Sequence, residues 1–248
     1  RSRKQGLTRP ELAVILSYAK INLYNGLIDS DASLEEFLQI DPQRYFPDVL
    51  RKRYEDLIPH HRLSREILGT LIANDIVNRM GPSFVKRMQA DTGASILTVA
   101  RAYEVARIIC RARPLLKEIE ALDHVIPAKA QMLMMFEISR RLRHTCLWLI
   151  EHYGAKVDIV SIVARLKDGM HRVYTRSSSY VSRASNARMQ QEQERWMAMG
   201  VPEKLAHDVA LLVLTRAALD IVDVAAERKR DVIESARLYA KFNDELEL

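Results

Sequence analysis

Few residues in this sequence have the type and spacing that chemistry needs. His60 and His61 are adjacent, and neighbours on a helix point in different directions, so a polar turn is expected there rather than a metal site. In the stretch ANDIVNRMG, Asn74 and Asn78 are four apart and share a face, with Asp75 and Arg79 beside them. Polar groups inside an otherwise apolar helix must be hydrogen-bonded if buried. The expectation is a buried network that fixes how neighbouring helices meet, with a contact surface for another domain as the functional alternative. Asp220 and Asp223, in ALDIVDVA, can line one face and accept hydrogen bonds from arginine or backbone groups, which favours architecture over acid–base catalysis.

The motifs that carry cofactor chemistry are missing. The glycines, at 6, 26, 69, 81, 93, 154, 169 and 200, are dispersed singly. There is no GxGxxG and no Walker loop, so no backbone cradle for a dinucleotide or a nucleotide phosphate is expected. Cys110 and Cys146 stand apart among apolar neighbours, without a CxxC spacing or a disulfide framework, and a reducing, cytoplasmic compartment is the simpler expectation. No catalytic, cofactor-binding or metal residue is expected in this segment. Basic residues gather in three places: Arg51, Lys52 and Arg53; Arg140, Arg141 and Arg143; and Arg172, Arg176, Arg183 and Arg188 with Tyr174 and Tyr180 interleaved. Only the third lacks acids nearby in sequence, so solvated faces or interdomain ion pairs are favoured over a phosphate-binding surface.

The elements that would position these residues read as helix after helix. Thr8 is placed to cap, Glu11 can reach back to it, and Pro10 falls in the first turn. Leu12, Ile15, Leu16, Ala19, Leu23 and Leu27 then recur at helical spacing, so this stripe is expected to be buried. Ser33 and Glu36 repeat the capping-box spacing, and a short helix is expected from Asp48 to Leu57. An apolar stripe at Leu63, Ile67, Leu71 and Ile72 closes at Gly81-Pro82; the next helices run from Pro82 to Thr92 and, capped by Ser95, from Ile96 to Arg111. Pro114 opens a short helix and Pro127 a long one to Gly154, which is apolar on more than one face.

A further helix is expected from Asp158 to about Lys167. The stretch from Arg176 to Arg188, rich in serine and arginine, reads first as a loop and then as a polar helix toward Met199. Pro202 and the segments AALDIVDVAAE and DVIESARLYAKFNDELEL supply the last helices. No period-two alternation is sustained. The fold class is therefore all-α, an irregular multi-helix bundle of about ten helices with one long central helix. Its expected organisation is a main helical part over 1–170, a hinge or polar helix over 171–199, and C-terminal helices over 200–248 packing on the same bundle.

Composition agrees with a soluble globular class. Of 248 residues, 48% are apolar and 28% charged, and the formal charge of +6 permits a nucleic-acid partner without demanding one. The longest strongly apolar run, Val209 to Leu214, is far too short for a bilayer span, so no membrane partner is expected. The opening RSRKQG has neither an initiating methionine nor an apolar segment behind it, so a piece of a longer chain is expected.

The segment from Gly6 to Asp31, with ANDIVNRMG at 73–81 and AALDIVDVA at 217–225, resembles the C-terminal helical region of the large bacterial NAD-dependent glutamate dehydrogenases. The likeness is strong over residues 6–130, returns over 200–227 and is loose over 155–198. Members of that family oxidatively deaminate L-glutamate to 2-oxoglutarate and ammonia with NAD, and their catalytic lysine and dinucleotide-binding fold lie upstream of this region. The resemblance therefore implies a non-catalytic helical domain, with NAD bound elsewhere in the parent, the catalytic domain of the same chain as partner, and a homo-oligomeric parent. What transfers is a set of family-typical positions of structural or interdomain role: Thr8, Arg9, Pro10, Glu11, Asn74, Asp75, Asn78, Arg79, Asp220 and Asp223. The competing class is a stand-alone helical module for an acidic partner such as nucleic acid, which a steep salt dependence of DNA binding would reveal.

Overall fold

Thr8 starts the first helix as its spacing predicts. The Glu11 amide donates to its hydroxyl at 3.5 Å, and the Thr8 amide donates to the Glu11 carboxylate at 2.8 Å, closing a capping box at the head of α1 (Arg9–Ile28). The structure, a computed structural model, describes residues 6–37, 39–176 and 181–245. Among these residues the regular structure is helical, with no strand: α2 (Asp48–Arg53), α3 (Ser64–Met80), α4 (Phe84–Thr92), α5 (Ile96–Ile109), α6 (Ala112–Glu120), α7 (Ala128–Tyr153), α8 (Ile159–Thr175), α9 (Arg183–Ala198), α10 (Glu203–Ala210), α11 (Thr215–Glu227) and α12 (Val232–Glu245), with short 3-10 turns between some of them. The fold is all-α. No described helix is long and apolar enough to cross a membrane.

The chain forms two compact units, one of residues up to Glu104 with Leu149–Ile159, the other of Val105–Trp148 with Val160 onward. In the first unit α1 lies on α3. Gly69 allows that approach, because a Cβ there would come within 3.0 Å of Ile28 and 3.3 Å of Tyr24. Only the second half of the α1 stripe is buried: Leu23 and Leu27 are 1% and 0% exposed, whereas Leu12 and Ile15 are 43% and 40% exposed. The expected burial of Leu12 and Ile15 is thus corrected, since the described residues of the unit leave the N-terminal half of α1 uncovered.

Three further corrections have physical causes. Glu36 does not complete a capping box with Ser33; its carboxylate pairs with Arg101 at 2.8 Å, and Ser33 instead accepts from the Glu35 amide. The helix expected to reach Leu57 stops at Arg53, and Pro59 lies in a separate 3-10 turn, Ile58–His60. In the second unit, α8 runs past Lys167 to Thr175, because Gly169 is not a terminator. A Cβ at Gly169 would collide with both Val222 methyls, one of them at 3.1 Å, so the glycine lets α8 lie close on α11 while Leu166, Met170 and Val173 continue the buried stripe.

Elsewhere in the second unit, α7 buries Ala130, Met134, Ile138, Leu142 and Cys146 at four-residue spacing and leaves Met132 and Phe136 exposed. Arg165 of α8 pairs with Asp223 of α11 at 2.9 Å, and Arg172 of α8 pairs with Asp231, before α12, at 2.6 Å. Asp231 also accepts from the Ile233 and Glu234 amides, so one carboxylate caps α12 and ties it to α8.

Candidate functional site

The residues singled out in the sequence do not gather into one pocket; they are placed where helices begin or cross. Thr8 and Glu11 serve the α1 cap, with Arg9 and Pro10 exposed in its first turn. In the first unit, Asp75 of α3 accepts from the Tyr103 hydroxyl of α5 at 2.9 Å, and the Tyr103 ring meets Phe84 of α4 edge-on at 6.3 Å. Asn78 is exposed and Asn74 only half-buried. Of the network expected at Asn74, Asp75, Asn78 and Arg79, Asp75 makes the polar junction with α5, whereas Asn78 faces solvent and is corrected from a buried position.

Asp220 and Asp223 lie in the second unit on α11. Asp220 accepts from the Trp148 indole N–H at 2.7 Å, and Asp223 accepts from Arg165. Trp148 is 7% exposed, so the indole donor is satisfied within the protein. These carboxylates serve as acceptors for neighbouring helices.

The other candidates are equally local. His60 and His61 are exposed, and the His61 Nδ1 accepts from the Leu63 amide at 3.1 Å within the turn. Among the described residues no group of histidine, cysteine and carboxylate side chains is arranged to hold a metal ion. Cys110 and Cys146 are buried free thiols. Burial pushes the Cys110 thiol up to about 11, against smaller opposing effects of the Thr145 hydroxyl at 3.5 Å and of Arg141, which leaves it inert as a nucleophile at neutral pH. The cavity lined by Asp31, Ser33, Ser64, Arg65 and Leu68 adjoins the turn after α1.

Each basic cluster has at least one member in an ion pair. Arg51 pairs with Asp48; Arg140 and Arg141 both pair with Glu137, at 2.6 and 2.7 Å. The third cluster, which lacked acids in sequence, receives Asp231 at Arg172 and Asp244 at the Arg183 amide, both brought in by α12. Tyr180 and its neighbours at 177–180 lie outside the described residues. One imidazole lies among these cations: His144 on α7 is held below the ordinary imidazole range by desolvation and then by Arg141, Arg140, Arg143 and Arg216, which disfavours its charged form.

Sequence reasoning missed Arg65, which reaches four backbone carbonyls in the first unit. From α3 its guanidinium donates to the carbonyls of Ala32 at 2.6 Å, Ile28 at 3.0 Å and Leu27 at 3.3 Å, and to that of Ser30. It satisfies the open carbonyls at the C-terminal end of α1 and the turn behind them. No local spacing announces a partner more than thirty residues away.

Comparison with known proteins supplies what the geometry does not name. The NAD-specific glutamate dehydrogenase of Halomonas elongata is 35% identical over 254 residues, covering 98% of this chain and 15% of that protein. Its counterpart in Pseudomonas aeruginosa is 32% identical over 247 residues, covering 100% of this chain and again 15% of the relative. That of Mycobacterium tuberculosis is 25% identical over 241 residues, 97% of this chain. The chain thus spans about 15% of the length of the curated relatives it matches. The match is continuous through the serine and arginine-rich stretch: the family model described as "Glutamate dehydrogenase, C-terminal" covers residues 4–248, and the chain belongs to that family.

Proposed function

We propose that this chain is the non-catalytic C-terminal helical domain of a large NAD-dependent glutamate dehydrogenase, serving assembly, stability or interdomain packing. The parent reaction is L-glutamate, NAD and water to 2-oxoglutarate, ammonia and NADH, and the proposed partners are the catalytic domain of the same chain and further copies of the parent. The observation that carries the packing role is the use of the family-typical carboxylates: Asp75, Asp220 and Asp223 each accept a hydrogen bond from a side chain of another helix. NAD is proposed to bind elsewhere in the parent. Gly69 and Gly169 pack against facing helices instead of opening a turn toward a phosphate, and no step of the reaction is assigned here.

The test compares the full-length parent with a form lacking residues 1–248 and with Asp75→Asn, Asp220→Asn and Asp223→Asn in the intact parent. Glutamate-dependent NADH formation by the full-length protein is expected, with loss of solubility or assembly on deletion. The asparagine variants should lower thermal stability while leaving KM for glutamate and NAD unchanged. Normal assembly of the truncated parent would overturn the packing role, and a full-length protein that does not oxidise glutamate would overturn the parent activity.

A further inference from the structure

Helix α1 carries two apolar faces, and its unit covers only part of one. Leu23 and Leu27 point into the core, at 1% and 0% exposure. Val14, Tyr18 and Ile21 recur at helical spacing on the opposite side: at about 100° per residue, the nine positions from Val14 to Leu23 amount to half a turn in projection. Their exposures are 54%, 70% and 53%. Leu12 and Ile15 add exposed apolar surface on the same N-terminal half, and between Leu12 and Ile21 the only charged residue is Lys20. Scattered exposed apolar side chains are ordinary, but a helix that is apolar on all sides belongs in a buried setting. Two other segments with exposed apolar residues differ. Around Val49 and Tyr54 the chain interleaves Arg51, Lys52 and Arg53, and around Leu238 and Phe242 it interleaves Arg237 and Lys241, whose stems can cover apolar surface.

We propose that the N-terminal half of α1, with Val14, Tyr18 and Ile21 at its centre, is the docking surface for the part of the parent polypeptide that precedes this segment, an inference that rests on the parent proposed above. In the relatives the matched segment is 15% of the chain, and the family description places it at the C-terminal side. The greater part of such a chain therefore reaches this segment through the residues just before α1, the first helix of the match. A surface joined covalently within a few residues meets α1 at high effective concentration, so a small uncharged apolar face suffices. A second copy has no such advantage and would have to bear the full cost of association. The capping box makes α1 a formed helix at this junction, so the surface is already ordered when its partner arrives.

The test uses the full-length parent with Tyr18→p-benzoylphenylalanine, irradiated as a mixture of isotopically light and heavy copies. Photo-crosslinked peptides are then mapped, with the same substitution at exposed Lys86 as reference. Crosslinks from position 18 to residues of the same polypeptide outside this segment are expected. Mixed light–heavy crosslinks, crosslinks confined to this segment, or a yield no higher than from position 86 would each overturn the docking surface. A Tyr18→Ser/Ile21→Ser double variant gives a second readout, because both side chains are exposed within the segment and its own fold should survive. Protease release of the segment from the full-length protein should accelerate about tenfold, a loss of docking free energy of about 1.4 kcal/mol, and an unchanged rate would count against the proposal. Glutamate-dependent NADH formation by the unmodified parent is measured alongside. Its absence would sink the parent assignment while leaving the crosslinks to report on docking.

Discussion

Arg65→Ala removes the guanidinium that holds the end of α1. The lost bonds run from Nη1 to the Ala32 carbonyl at 2.6 Å and from Nη2 to the carbonyls of Ile28 at 3.0 Å, Leu27 at 3.3 Å and Ser30. A hydrogen bond from a charged donor contributes about 1.5–3 kcal/mol, but acceptors sharing one nitrogen do not add and water can reach a half-buried site. Two effective bonds at the lower figure give about 3 kcal/mol, and the loss of a cation at a helix C-terminus adds about 0.3–1 kcal/mol. Because these bonds hold one helix end and one turn, the loss should show as local opening. Hydrogen–deuterium exchange of the peptides covering 27–33 should accelerate about a hundredfold, while α4 changes little. Arg65→Lys keeps the charge but not the fork, and should lie between the two, about tenfold. Exchange within about twofold of the parent value in Arg65→Ala, or an acceleration spread evenly over the chain, would refute a clamp at this point.

Gly169→Ala places a methyl against Val222 and should destabilise by about 1–3 kcal/mol from overpacking, offset by about 1 kcal/mol of helix propensity. Val222→Ala in the same chain should recover part of the loss, and additive denaturation midpoints for the pair would show that the two residues do not interact. Arg172 and then the Glu234 amide hold the Asp231 carboxyl below its ordinary range, so the stability it gives the α8–α12 junction is present above the unfolded carboxylate value near about 3.9 and is lost as pH falls below that. Asp231→Asn should flatten this acid limb in a pH series of thermal melts; an unaltered limb would exclude the pair as its source. The buried Cys110 thiol, pushed up to about 11, should react with iodoacetamide at pH 8 at least about a hundredfold more slowly than in the denatured chain, and comparable rates would show that the site opens readily.

Helix existence was legible because its signals are local. The Thr8–Glu11 box, the Ser95 cap on the Thr98 amide at 3.1 Å and the proline before α7 all act within one turn, and each helix begins where they stand. Burial was less legible because it depends on neighbours the sequence does not name. Leu12 and Leu23 occupy the same α1 stripe, yet one is 43% exposed and the other 1%. The same limit applies to glycines: the close approach that Gly169 permits is visible only with Val222 across from it. Charge pairing follows this rule as well, since Glu36 has a cap-like spacing and instead meets Arg101 from a helix far along the chain.

Asp75 and Asp220 illustrate how short polar motifs can fix helix register in an all-helical domain. A stripe of leucine and valine tolerates sliding by a turn, because one apolar side chain replaces another at modest cost. A buried indole N–H does not, since leaving it without its acceptor costs about 1–3 kcal/mol. Asp220 opposite Trp148 and Asp75 opposite Tyr103 therefore restrict which turn of one helix meets which turn of the next. Register set in this way would hold each face of its unit in a defined orientation, the outer face of α1 among them. That is the property a docking surface needs and a catalytic acid does not explain.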